Sequence, residues 1–196
     1  MKFKNKLIPS KFQKRYKRFF TDVESKGKTL ISHCANSGSM LGLLDKDNKA
    51  WISPADNPDR KLKYTLEIIN DKKSNVGVNT HLANRIVEEA IEQRTIKEIK
   101  SYSEYQREVK FGLHSRFDFE LKNKTKKAFL EVKNVTLSRQ SGIAEFPDAV
   151  TSRGLKHLEE LEKAIKKGYE SFLIYLVQRE DCKEFRIAKD IDPKYY

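Results

Sequence analysis

Asp118, Glu131 and Lys133 are the residues whose types and spacing best suit chemistry in this sequence. Glu131 and Lys133 stand two apart in AFLEVKNVTL, so on a strand both side chains point to one face. Upstream, Phe117, Phe119 and Leu121 alternate with Arg116, Asp118 and Glu120, the period of a half-buried strand. With Asn123 to Lys126 as a hairpin tip, Leu121 pairs with Ala128 and Asp118 falls opposite Glu131. Opposed side chains on one sheet face have Cβ atoms roughly 4.5–5.5 Å apart. Two carboxylates about 4 Å apart repel by about 4 kcal/mol at an effective dielectric of about 20. A hard divalent cation between them removes that repulsion, since Mg2+ takes carboxylate oxygens. Lys133 then adds positive charge beside whatever anion the metal holds, and a phosphodiester is the natural candidate. The reading rests on register, because an odd change in tip length sends Asp118 to the other face. The three residues would then be the solvated side of an ordinary strand pair.

The elements that must position these groups follow from the rest of the chain. Its 196 residues suffice for one large or two small domains without disulfides or structural metals. Charged residues make up 35% and the net charge is +12, which implies a polyanionic partner, nucleic acid ahead of a membrane surface. Cys34 and Cys182 form no spacing motif, and no segment has the apolar length of a signal peptide core or a membrane span. A soluble, cytoplasmic protein is expected.

Residues 1–80 read as β-rich, with candidate strands at Phe12 to Val23, Thr29 to Cys34, Ala50 to Ile52, Lys61 to Ile69 and Val76 to Val78. Turn formers separate them, and about five short strands suit a small barrel. Basic and aromatic residues interleave from Lys11 to Phe20, the composition with which barrels hold single strands. Arg15, Lys17 and Arg18 are read as phosphate contacts, and Tyr16, Phe19 and Phe20 as either base platforms or barrel core. Asn36-Ser37-Gly38 is read as a turn, since neither GK[ST] nor GxGxxG is present, and His33 beside Cys34 lacks the partners of a zinc site.

A helix is expected at 80–94, with Thr80 as cap and Leu82, Ile86, Ala90 and Ile91 as its apolar stripe. After a polar connector, a strand is expected at Arg107 to Phe111, with Glu108 a further candidate acid. Ser138 to Ala144 reads as a loop, and Ala149 to Lys167 as a helix ended by Gly168. Arg153, Lys156 and His157 near that helix's start, with Arg116 on the earlier strand, are read as DNA contacts. Phe172 to Val177 suits a buried strand, and the tail at 192–196 is expected to pack back on the fold. No Ser-His-Asp or Cys-His arrangement, carbohydrate motif or helix-turn-helix pattern competes.

The pattern D-(x)n-E-x-K resembles the core of PD-(D/E)XK nucleases. Longer words, RYKRFFTDV at 15–23, HCANSGSM at 33–40, REVKFGLHSRFDF at 107–119, EVKNVT at 131–136, FPDAVTSRGLKHLEEL at 146–161 and IDPKYY at 191–196, resemble the sugar fermentation stimulation protein (SfsA) family in order and over nearly the whole chain. The resemblance implies an α+β protein, an OB-like β-barrel at 1–80 followed at 81–196 by a PD-(D/E)XK α/β domain with a mixed central sheet flanked by helices. It also implies DNA as partner, single- or double-stranded and without sequence preference, and Mg2+ or Mn2+ held by Asp118, Glu131 and the Val132 carbonyl. By the same resemblance Glu89 of the first helix reaches the metal and joins Asp118, Glu131 and Lys133 in catalysis. The alternative it leaves open is a non-catalytic DNA-binding regulator of sugar (maltose) metabolism genes, and homodimerisation is also left open.

Overall fold

The computed structural model describes residues 1–57, 59–112 and 115–196. Its first half is built from β1 (Ile8–Tyr16), β2 (Phe20–Ser25), β3 (Lys28–His33), β4 (Lys49–Pro54), β5 (Tyr64–Asn70) and the short β6 (Asn75–Gly77). The strands run in the order β3-β2-β1-β4-β5, and β3 closes on β5 through the parallel pairs Ser32–Tyr64 and His33–Thr65. This is a closed five-stranded barrel of OB type, with β6 added outside β5. Phe12, Val23, Ile52, Leu66 and Ile69 fill it, with Met40 and Leu43 from the β3–β4 connection closing one end. The expected single strand from Phe12 to Val23 is two strands. The chain reverses at Lys17-Arg18-Phe19, where Lys17 and Arg18 take φ of 46° and 61°. No Gly, Asn or Pro marks that turn; the Arg15 guanidinium holds it by donating to the Arg18 carbonyl at 2.7 Å.

The second half begins with α1 (His81–Glu92), followed by β7 (Glu104–Phe111), β8 (Ser115–Lys122) and β9 (Lys127–Val135). β10 (Leu137–Gln140), β11 (Ile143–Phe146), α2 (Ser152–Lys166), β12 (Glu170–Val177) and β13 (Glu184–Ile187) complete it. The central sheet is mixed, in the order β12-β9-β8-β7, with β12 parallel to β9 and the other pairs antiparallel. α1 packs on one face, against Phe119, Leu121, Leu130 and Val132, and α2 on the other, against Phe117 and Phe129. β12 is a half-buried edge strand, where a fully buried one was expected. The expected loop after Leu137 instead forms a small sheet, β10-β11-β13, whose β11–β13 pair brings together segments about 40 residues apart, which no local pattern signals. The tail packs back as expected: Tyr195 is buried, with its hydroxyl 3.0 Å from that of Tyr175.

Among the contacts that join the halves, two involve the main chain of the barrel. Gly77 N–H donates to the Gln178 carbonyl at 3.0 Å, beside the buried Arg179, which donates to Asp71 and Asp181. In the other, Asp148 accepts from the Met40 main chain.

Candidate active site

The hairpin joining β8 and β9 has the expected register at its tip, Leu121 opposite Ala128. The ladder ends at Phe119–Leu130, and beyond it the strands part. Asp118 fills the gap: its Oδ2 accepts the Val132 N–H at 2.8 Å, replacing a main-chain partner. Its Oδ1 accepts from Asn84 Nδ2 of α1 at 2.7 Å. Strict alternation also breaks here, since Phe117 packs toward α2 and Phe119 toward α1. On the neighbouring strand Glu108 takes φ of 53°. The split in the sheet lets one carboxylate reach both the α1 side and β9.

Glu131, 3% exposed, and Lys133, 9% exposed, project from β9 toward α2. Lys133 Nζ donates to Glu131 Oε1 at 2.7 Å, and His157 Nδ1 of α2 contacts the same oxygen. With that nitrogen donating to Glu131, it has no lone pair for Lys133, whose Nζ lies 3.1 Å away. Glu131 Oε2 is buried and has no hydrogen-bond partner among the described residues. Burial pushes the Glu131 carboxyl upward, but the hydrogen bond to His157 and the charge of Lys133 outweigh it and hold the group below its ordinary value. Asp118 goes the other way, raised by burial and by the charge of Glu131 against the bonds from Val132 and Asn84. Two neighbouring carboxyls are thus driven apart in proton affinity, the pattern of sites that handle charge.

A cleft of about 580 Å³ opens over Asp118, Glu131 and Lys133. Arg116 and Arg153 stand at it, both exposed, with Arg116 Nη1 3.5 Å from Glu108. Val132 also lines it. Its far wall is Asn36-Ser37-Gly38 of the barrel, read from sequence as a plain turn. Gly38 fits closely there: an added Cβ would meet Asp148 Oδ2 at 2.7 Å. Only tertiary docking reveals this wall, although the word HCANSGSM marks the segment.

Several expected site residues lie elsewhere or are otherwise engaged. Glu89 does not line the cleft; it pairs with the Met1 amine at 2.6 Å. The buried residues of α1 are Ala83 and Val87, not the expected Leu82 line, and this rotation aims Asn84 inward and Glu89 away. Arg15 has its guanidinium committed to the carbonyls of Arg18, Asn36 and Gly38, so it braces the cleft wall and has little left for phosphate. His157 belongs to the acid cluster, and Lys156 is exposed outside the cleft. Lys17 and Arg18 are exposed on the barrel's β1–β2 turn. Thr80 does not cap α1; its hydroxyl donates to the Ala35 carbonyl, and Asn79 Oδ1 accepts the His81 N–H.

Barrel and split sheet together define a class: an OB-type barrel joined to a restriction-endonuclease-like α/β domain carrying an Asp and a Glu-x-Lys. The family model described as the sugar fermentation stimulation protein RE domain matches residues 81–196, and that of the SfsA N-terminal OB domain matches 14–78. The chain belongs to the sugar fermentation stimulation protein (SfsA) family. It is 52% identical over 196 residues to the sugar fermentation stimulation protein homolog of Pelagibacter ubique (strain HTCC1062), covering 100% of this chain and 84% of that one. It is 46% identical over 198 residues to the homolog of Ruegeria sp. (strain TM1040), covering 100% and 85%. Among solved structures it resembles Pyrococcus furiosus SfsA in complex with Ca2+, with TM-score 0.90, 25% identity, and 99% of this chain and 82% of that one covered. Among the described residues no helix is long and apolar enough to cross a membrane.

Proposed function

We propose that this protein binds DNA and hydrolyses its phosphodiester bonds with Mg2+ or Mn2+, the metal being held by Asp118, Glu131 and the Val132 carbonyl. The observation that carries the reading is the buried, unpartnered Glu131 Oε2 in a cleft that also holds Asp118 and Lys133. A buried anionic oxygen without a donor is costly, and a cation is what it lacks. Among the described residues no three His, Cys, Asp or Glu side chains form a metal cluster. Mg2+ keeps several waters and is commonly held by one or two carboxylates plus substrate phosphate, the number of carboxylates that Asp118 and Glu131 supply. The Ca2+ of the Pyrococcus furiosus relative is likewise a hard, oxygen-seeking ion.

When bound, such a metal lowers the pKa of a coordinated water and polarises the phosphate. The protein's own groups do the rest. Asn84 and the Val132 N–H fix Asp118 in one orientation. Lys133 and His157 fix Glu131 by one oxygen and leave the other facing free. Lys133 stands where negative charge grows on the scissile phosphate and is balanced there. Arg116 and Arg153 hold flanking phosphates at the cleft mouth. The reading places the protein with DNA in the cytoplasm.

The test is incubation of labelled single- and double-stranded DNA with Mg2+ or Mn2+, beside Glu131→Ala and Lys133→Ala. Metal-dependent cleavage lost in both variants supports the proposal. Salt-sensitive binding without cleavage would instead favour the non-catalytic regulator of sugar metabolism genes.

A further inference from the structure

The rings of Phe19, His33 and His81 form a row on the outside of the barrel. Phe19 and His33 have centroids 6.2 Å apart, and His33 and His81 6.3 Å apart. Phe19 is 41% exposed, and His81 is exposed at the start of α1. Lys17 and Arg18, the two residues before Phe19, are exposed, and among the described residues neither makes an ion pair. Burial first, then the charges of Arg60 and His81, lower the His33 pKa below its ordinary 6.5, so its ring is a neutral stacking face at neutral pH.

The row lies beside the acid cleft: His33 and His81 line a neighbouring hollow with Ala35 and Arg60, and two chain segments run from there to the cleft. His33 leads in three residues to Asn36, which lines the cleft, and His81 leads in three to Asn84, which bonds Asp118. The segments are tied to each other: Thr80 donates to the Ala35 carbonyl through its hydroxyl at 2.7 Å and its N–H at 3.0 Å. Three residues span at most about 10 Å, a few nucleotides of a single strand. Exposed rings beside free cations recognise unpaired bases and their phosphates together, whereas in a duplex the base faces are already stacked on each other.

From this we infer that Phe19, His33 and His81, flanked by Lys17 and Arg18, are a stacking track for single-stranded nucleic acid that leads it into the Asp118–Glu131 cleft. The inference rests on the nucleic-acid-binding part of the proposed function and is independent of cleavage. It makes single strands, or locally opened duplex, the substrate class of the site.

The experiment is fluorescence-anisotropy binding of the full chain, in EDTA, to a labelled single-stranded DNA of about twenty nucleotides, the same sequence as RNA, and the DNA duplex. The expected result is tighter binding of a single strand than of the duplex, with the DNA and RNA arms showing which sugar is preferred. Phe19→Ala and His81→Ala should each weaken single-strand binding about fivefold or more, and leave duplex binding within twofold. Phe19→Tyr and His33→Phe, which keep a ring, should bind within about twofold of the parent. All the sites but His33 are exposed, and His33→Phe retains its bulk, so folding is not at issue. Single-strand affinity unchanged by Phe19→Ala and His81→Ala would overturn the track while leaving DNA binding standing. Equal loss for duplex and single strand would overturn it too. No binding to any of the three probes would overturn both the track and the proposed function.

Discussion

Asp148 Oδ2 accepts the main-chain N–H of Met40 at 2.8 Å, across 108 positions of sequence, and thereby fixes the barrel's Asn36–Gly38 loop as a wall of the acid cleft. The neighbouring Ser39 hydroxyl donates to the Asp148 carbonyl at 2.6 Å, so both ends of one residue hold the loop. Met40 itself is fully buried in the barrel. One carboxylate therefore couples the packing of the first domain to the shape of the site in the second.

Asp148→Ala should lower stability by about 1.5–3 kcal/mol, the usual worth of a hydrogen bond to a charged group. Urea denaturation measures it. Cleavage should fall as well, because the wall loses its anchor. An Asp148→Ala protein with parental stability and activity would show the contact to be incidental.

Arg179 has 1% of its side chain exposed and donates to Asp71, Asp181 and the Thr136 carbonyl. Arg179→Met leaves Asp71 buried without its counter-charge, and removing one partner of a buried pair costs about 3–5 kcal/mol. The midpoint of urea unfolding should drop accordingly. Arg179→Lys should recover only part, since a single ammonium cannot serve three acceptors in fixed directions.

Acid should undo this junction in a definite window. Burial pushes Asp71 upward, but hydrogen bonds from the Ser74 main chain and Arg179 outweigh it and lower its folded pKa below its ordinary 3.8. The bond to Arg139 likewise lowers Glu145 below 4.5. Groups with depressed folded values contribute stability that is complete above the unfolded value and vanishes as pH falls through the folded one. Stability measured against pH should therefore decline below about 4, and the Asp71 share of the decline should be absent in Asp71→Asn.

Asp118 has the opposite sign. Its folded pKa is raised, so its ionisation opposes folding above that value and has no effect below the unfolded one. In EDTA, Asp118→Asn should be more stable than the parent at pH 7, with the difference closing as pH drops toward about 4. Asn84 can turn its amide to accept from the new one, keeping the bond. The same substitution should abolish cleavage, which separates a functional carboxylate from a structural one.

Metal should stabilise the parent. At a free concentration one hundred times Kd, a ligand bound only by the folded state adds about 2.7 kcal/mol. A rise in Tm with Mg2+, Mn2+ or Ca2+ that disappears in Glu131→Gln would place the ion on Glu131. An equal rise in the variant would place it elsewhere.

The amino-acid sequence alone determined the parts whose signals are local. The turn at Asn123 to Lys126, the Leu121–Ala128 pair it sets, and the period-2 placing of Glu131 and Lys133 on one face all hold in the structure, because a tight hairpin fixes register within a few residues. The β-rich first half and both helices were legible for the same reason. What tertiary structure decided was which way those elements turn and what they meet. The rotation of α1 onto Ala83 and Val87 chose Asn84 over Glu89, since the helix buries whichever stripe the sheet beneath it fits. The parting of β8 and β9 at Asp118, the capture of Glu131 by His157, and the closing of the cleft by Asn36–Gly38 and Asp148 join residues from 14 to over 100 positions apart. Such contacts come from packing whole elements together, and no pattern of neighbouring residues encodes them.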